Sequence, residues 1–384
     1  MAVLAAFSCG RAQQQETPAQ LRDRVFGLAR VQAPYMDSLL TEGRCPRSFQ
    51  GHKLVTSDIG WWCSGFYPGV LWQIYAETAD IRFRELAVKH TLPLAALLEQ
   101  DTDHDIGFQL MSSFGRWLEA GPKEGDALSP AEIRNLLETG AGKLAARFLP
   151  EAGVIRSWDH GRWNFPVIID NMMNLELLMA FGDRSVAEKH ALTTMENHFR
   201  DDGTCFHLVD YADDGTVLGR QTVQGHADDS AWARGQAWAL YGYAMMAEWE
   251  RGNGNEVLAK TFHDVAAKLE AWLLENLPED GVPYWDFSQD DYKDASAGAI
   301  IACGLLKMWK LDGCAPSDPA LAMAERILRT LASPEYLAEP RTNGGFLLKH
   351  GVGHLPNKSE VDVPLTYADY YFLEALSLFP VSGR

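Results

Sequence analysis

The sequence predicts an all-α fold, an (α/α)6 barrel in which six inner helices are ringed by six outer ones. Amphipathic stretches, with apolar residues at i, i+3 and i+4, alternate with stretches that are apolar nearly all round. The alternation returns about every fifty to sixty residues, the signature of a repeated supersecondary unit. An amphipathic helix buries one face and an all-apolar helix buries every face. Each inner helix therefore needs inner neighbours on both flanks and an outer partner behind it, which a closed double ring supplies. Strand-like alternation is confined to short pieces such as TCFHLVDY and GGFLLKH.

The outer set begins at Pro18 with PAQLRDRVFGLARVQAPYMDSLL. It continues through IRFRELAVKHTLPLAALLEQ, PAEIRNLLETGAGKLAARF, SVAEKHALTTMENHF, NEVLAKTFHDVAAKLEAWLLENL and DPALAMAERILRTLA. The inner set is GFYPGVLWQIYA, IGFQLMSSFGRWLEA, VIIDNMMNLELLMAFG, QGHADDSAWARGQAWALYGYAMM, ASAGAIIACGLLKMWK and LTYADYYFLEALSLF. The fourth inner stretch, residues 224–246, organises the rest. Asp228, Asp229 and Ser230 are good N-caps for it. Arg234 and Gln236 then interrupt an otherwise apolar helix, and a buried guanidinium needs an anionic partner. A concave site at the helix mouth reconciles them, flanked by Trp232 and Trp238, with Arg234 and Gln224 offering donors to something anionic.

Polar, Gly-rich and aromatic segments precede the inner helices: SDIGWWCSG, DTDHDIG, SWDHGRWNFP, TVQGHADDS, YWDFSQDDYKDASAG and LPNKSEVDVP. Parallel inner helices gather these loops at one end, where loops on a rigid scaffold carry function and helix N-termini favour an anion.

Composition bounds the partners. The chain has 384 residues, 47% hydrophobic and 22% charged, enough for a large core. A net charge of -18 excludes a general nucleic-acid or membrane-surface binder, while an anionic small substrate stays open through local Arg and Lys. Six cysteines without a C-x-x-C pair, and no H-E-x-x-H, argue against a zinc site or a disulfide framework. No run approaches the roughly 18 apolar residues of a membrane span. MAVLAAFSCG is similar to the end of a bacterial lipoprotein signal but has no basic n-region. We read residues 1–17 as a leader or export-signal remnant and 18–384 as a single barrel domain. The expected location is the bacterial periplasm or envelope, with the cytoplasm as alternative; the oligomeric state is open.

Asp170 is the sharpest single residue, a carboxylate set among Ile168, Ile169, Met172 and Met173. Desolvation would raise its pKa and make it a proton donor, although a helix cap is the equal alternative. Asp105 opens the preceding inner helix and should lie at the same mouth, while Asp101 and Asp103 read as solvated acids. His207 reads first as a satisfied structural histidine. His226 is a loop residue or a pocket wall. Trp61, Trp62, Trp158, Trp163, Tyr284 and Trp285 in the mouth loops suggest a sugar platform, because aromatic faces cover the apolar side of a pyranose.

The motifs WWCSGFYPGVLW, DHDIGFQ, IIDNMMNLELL, QGHADDSAWARGQAWALYGY and SEVDVPLTYADYYFLEAL together resemble the unsaturated glucuronyl hydrolases of glycoside hydrolase family 88, from about Trp61 to the C-terminus. The resemblance implies an exo-acting enzyme that removes the 4,5-unsaturated uronic acid left at the non-reducing end of oligosaccharides by polysaccharide lyases. It implies hydration of the C4=C5 enol ether rather than attack at the anomeric carbon, with no metal or cofactor. On that resemblance Asp170 is general acid and base and Asp105 tunes it. His207, Gln224, Arg234 and Trp238 are pocket residues, Arg234 and Gln224 fixing the uronate, with Trp62 and Trp158 stacking nearby. Two departures stand out: His226 occupies the position of an expected aromatic, and the spacing around His207 matches approximately. Lys358 and Ser359 are candidates for contacting a sulfate or second sugar. The competing readings are an unsaturated rhamnogalacturonyl hydrolase acting on pectin fragments and a non-catalytic glycan-binding toroid.

Overall fold

The computed structural model describes residues 16–381, so the leader and Cys9 lie, up to residue 15, outside the described residues. Helix α1, Pro18–Leu39, starts where Pro fits the first turn, and Thr17 and Gln20 form a reciprocal capping box. The hairpin β1 (Cys45–Gln50) and β2 (Lys53–Ser57) leads into α2, Phe66–Thr78, buried along most of its length. Asp80 caps α3, Ile81–Thr91, and the expected long outer helix tightens to a 3-10 turn over Leu92–Glu99 at Pro93. The second inner helix runs as α4 (Ile106–Leu110), a π turn (Met111–Gly115) and α5 (Arg116–Ala120).

Ser129 and Glu132 box the start of α6, Pro130–Ala145. The small ladder β3 (Phe148–Leu149) and β4 (Val154–Ile155) and the strand β5 (Pro166–Ile168) precede α7, Asn171–Phe181. Asp183 caps α8, Arg184–His198. Strands β6 (Leu208–Tyr211) and β7 (Val217–Gln221) join β5 in an antiparallel sheet. Then come α9 (Ala233–Gly252), α10 (Glu256–Asn276), α11 (Ala295–Leu311), α12 (Pro319–Leu331), the hairpin β8 (Gly351–His354) and β9 (Ser359–Val363), and α13 (Thr366–Leu378).

The inner ring is α2, α4–α5, α7, α9, α11 and α13; each touches the next, and α13 returns to α2. Outside them α1, α3, α6, α8, α10 and α12 pack as the second layer. This is the (α/α)6 barrel expected from periodicity. Two local expectations are corrected. The first residues of VIIDNMM are strand, because β5 pairs with β6 in register Ile168 to Leu208. The helix read from Asp228 begins at Ala233 with Trp232 in the cap position and no side-chain cap. Residues 231–233 are held extended against 285–287, through the Trp232–Asp286 bridge and the Phe287 N–H to Ala231 carbonyl bond, so helix cannot start earlier.

Candidate active site

At the end of the barrel where β1, β5, β8 and β9 collect, a cavity of about 370 Å³ is lined by Asp105 and Asp170 together with residues of five of the six predicted mouth loops. The loop containing Tyr284 and Trp285 contributes no wall; Trp285 is buried. A wider cleft of about 770 Å³, mostly apolar, lies outside the ring between α1 and the segment after α12, and no buried acid pair lines it.

Asp170 occupies the N-cap position of α7, yet its side chain makes no capping bond. Its Oδ2 is buried without a hydrogen-bond partner, so the cap reading supplies no account of this carboxylate. Burial raises its pKa to about 7, against the opposing pull of the Arg234 charge and of the nearby Trp238 indole. The Trp238 N–H lies outside hydrogen-bonding geometry but still acts on the carboxyl electrostatically. Asp105 leads into α4, and its carboxyl is pushed well above the usual range by burial, then by Asp103 and by Asp170, with Asn174 opposing. Asp103, expected to be merely solvated, also lines the cavity and accepts the Asp105 backbone N–H.

The close approach of α4 to α7 puts these acids side by side. A Cβ on Gly107 would lie 2.5 Å from Asn174 Oδ1 and 2.6 Å from its Cα. A Gly107→Ala variant is therefore expected to lose about 1–3 kcal/mol in urea unfolding and to part the two carboxyls. Unchanged stability would show that the helices are free to separate.

His207, on the approach to β6, is 4% exposed and lies behind the cavity wall. Its Nδ1 accepts the backbone N–H groups of Val223 at 3.0 Å and Gln224 at 3.2 Å. That fixes the neutral tautomer with its proton on Nε2, which stands 3.8 Å from Asp170 Oδ2. Burial holds the ring's pKa well below its ordinary value, so it stays neutral. The histidine both shapes the Gln224 loop and turns an N–H towards the acid.

Arg234 lies on the cavity wall at 2% exposure. Its four terminal N–H groups go to Asp294, the Val352 and Gly353 carbonyls and Gln224 Oε1. Those bonds fix the guanidinium on the cavity wall and leave only its Nε–H without a protein partner among the described residues, so Arg234 brings to the cavity a positive charge and at most one donor. Gln224 keeps its Nε2, which donates to no protein group among the described residues.

Trp62 and Trp158 line the cavity as expected. Trp62 packs edge-on against Phe66 and Phe108, and Trp158 stacks on His160. Trp238 is corrected: it is fully buried beneath the cavity, 5.1 Å from Phe108 and 5.2 Å from Tyr371 between ring centroids. Trp232 likewise faces inward, with its ring 4.5 Å from His207 and 4.5 Å from the Arg234 guanidinium. His226 is exposed and lines nothing in the cavity; Ser359 lines it and Lys358 does not. Sequence reasoning missed Arg47, His104, His160, His354, Glu360 and Tyr367 on the wall, because no single motif joins them.

No protein-family model matches the chain. It is 39% identical over 339 residues to an unsaturated glucuronyl hydrolase of Formosa agariphila, covering 85% of this chain and 80% of that protein. The chain belongs to the unsaturated glucuronyl hydrolase family. As a member it is a glycoside hydrolase. A second unsaturated glucuronyl hydrolase, from Bacillus sp. strain GL1, is 32% identical over 349 residues, covering 85% of this chain and 88% of that one. Among solved structures, an unsaturated glucuronyl hydrolase described as specific for heparin superposes with a TM-score of 0.86 at 39% identity, covering 94% of this chain and 96% of that one. The family resemblance read from the motifs is thus upheld along most of the barrel.

Proposed function

We propose that this chain releases the 4,5-unsaturated uronic acid from the non-reducing end of lyase-generated, glycosaminoglycan-type oligosaccharides, with Asp170 as the acid and base of the hydration step. The observation that carries the residue assignment is the buried, uncapped carboxyl of Asp170 facing a cavity beside Asp105. With its pKa near 7, a substantial share is protonated at neutral pH and its conjugate base is strong enough to take the proton back.

Protonated Asp170 gives its proton to C4, and the C4=C5 π pair becomes the C4–H bond. The positive charge at C5 is shared by the ring oxygen. Water adds at C5 and loses a proton to the Asp170 carboxylate, which restores the acid. The C5 hemiketal then opens by breaking its bond to the ring oxygen, leaving a hemiacetal at C1 that expels the second sugar. One water is consumed and no enzyme bond is formed, so carboxylate spacing carries no stereochemical prediction. Gln224 Nε2 supplies a direct donor to the uronate, while the charge of Arg234 on the cavity wall favours the anion. His207 Nε2–H is placed to orient water or carboxylate beside Asp170. Trp62 and Trp158 wall the ring.

Purified protein given unsaturated disaccharides from chondroitin, hyaluronan, heparin and pectin lyases is expected to bleach the near-ultraviolet absorbance of the conjugated double bond on the first three classes. Because the proton donor must be protonated, kcat/KM is expected to fall as pH rises through about 7, approaching tenfold per pH unit beyond it. A profile flat to pH 9 would remove Asp170 as the acid. Bleaching of the pectin product alone would make the rhamnogalacturonyl reading correct.

A further inference from the structure

We propose that Asn174 is a positioning residue: it caps α4 in place of Asp105 and thereby releases the Asp105 carboxyl from its own helix into the cavity. The inference rests on the activity above and adds what holds the second acid at the reacting centre. Asp105 occupies the N-cap position of α4, where an aspartate ordinarily accepts the backbone N–H of the second or third helical residue. Here it does not. Its carboxyl makes no capping bond and lines the cavity instead, with the side chain 17% exposed. Its backbone, at φ -70° and ψ -3°, is already helical, whereas a residue that caps with its own side chain is normally extended. The third amide of the helix, that of the buried Phe108, must then be met from elsewhere.

Asn174 meets it. This residue stands on α7, one turn beyond Asp170, has no exposed surface, and accepts the Phe108 N–H on its Oδ1 at 2.7 Å. The contact is built into both helices, since Gly107 lies so close against Asn174 that a Cβ has no room between them. Asn174 Nδ2 finds no partner of hydrogen-bonding geometry among the described residues. It nevertheless acts on the Asp105 carboxyl, opposing the rise that burial, Asp103 and Asp170 impose. One side-chain amide thus takes the N–H that Asp105 would have capped and steadies the carboxyl so released. At α7 no such substitute is needed. There the Met172 and Met173 amides go to the Ile169 and Asp170 carbonyls, while at α4 only Gly107 has a backbone acceptor, the His104 carbonyl. Asp170 is freed by backbone bonds and Asp105 by a side chain.

Without that acceptor the Phe108 N–H is buried unpaired. The nearest remedy is for Asp105 to turn extended and cap it, withdrawing from the cavity. Asn174→Leu keeps most of the volume and offers no acceptor. On the unsaturated disaccharide its kcat is expected to fall about a hundredfold, the cost of misplacing one group at the reacting centre, with KM changed less than about threefold. A crystal structure of the variant should show the Asp105 carboxyl on the Phe108 N–H. Asn174→Asp is the conservative control. At about pH 6 a buried carboxyl is protonated and carries an acceptor and a donor in the places of the amide's, so kcat should return to within about fivefold of the unaltered chain. Should Asn174→Leu not fold, Asn174→Ala makes the same predictions. A folded Leu or Ala variant that keeps more than about a third of the normal kcat, or whose Asp105 carboxyl stays in the cavity, would overturn the proposal. So would a loss in Asn174→Asp equal to that in Asn174→Leu. The crystal structure reads the Asp105 position independently of turnover. Absence of bleaching by the unaltered protein on every substrate would therefore sink the activity, while the structure alone decides the capping role.

Discussion

An Asp170→Asn variant is expected to lose turnover by about 10³-fold or more while still binding the unsaturated disaccharide. The argument rests on geometry before titration. The amide that replaces the carboxyl has nearly its shape, so the cavity wall contributed by Asp105, Gln224 and Trp158 keeps its form. What the amide lacks is a proton acidic enough to give to C4 and a base able to recover it from water. Unfolding will not mimic this loss. The Asp170 pKa is raised in the folded chain, so its contribution to stability is full below about pH 4 and is lost as pH rises through about 7, where an anion must be buried. Asn carries no such charge, and at pH 8 the variant should unfold at a temperature equal to or above that of the unaltered chain. Equilibrium binding by calorimetry, near-ultraviolet bleaching and thermal unfolding at two pH values check the three statements together. A variant that bleaches at even a tenth of the normal rate would move the proton-transfer role to Asp105 or His207.

Much of this fold was readable because burial imposes a period. The capped starts of α1 at Thr17 and α6 at Ser129 are local chemistry, and the apolar inner stretches announce that neighbours must surround them. The same property hides orientation: in a helix apolar on every side, the sequence does not say which face looks into the cavity. Trp238 was therefore expected at the pocket and lies beneath it. Asp228 and Ser230 have the residue types of a cap but spend their oxygens elsewhere. Asp228 accepts the Thr222 N–H, and the Ser230 hydroxyl donates to Asp286. Thr222 belongs to the same loop, whose closed turn takes up Asp228, while Asp286 comes from another loop that no local rule brings. Asp170 was legible as a misplaced charge, because one carboxylate among Ile and Met is conspicuous in one dimension. The missing capping bond that separates catalyst from cap exists only in three.

Replacing Arg234 with Ala should be the most destabilising change at the site, about 3–5 kcal/mol, and should lower activity by about a hundredfold through displaced neighbours. Arg234 joins three elements that are distant in sequence. It pairs with Asp294 at 3.1 Å, ties the Val352 and Gly353 carbonyls of β8 to α9, and holds Gln224 at 2.8 Å. Trp232 and Tyr367 flank its guanidinium at 4.5 and 5.4 Å. Alanine would strand Asp294, which has no exposed surface, with one partner fewer, and would free the hairpin that bears Glu360. A second effect separates electrostatics from architecture. The Arg234 charge pulls the Asp170 pKa down, so its removal lets that pKa climb above about 7, and the alkaline limb of the residual activity should move to higher pH. Arg234→Met combined with Asp294→Asn removes the unpaired charge and fills part of the volume, so it should recover most of the stability but keep the displaced limb. If the limb stays where the unaltered chain has it, the buried cation does not govern the acid, and its task is to hold the mouth together alone.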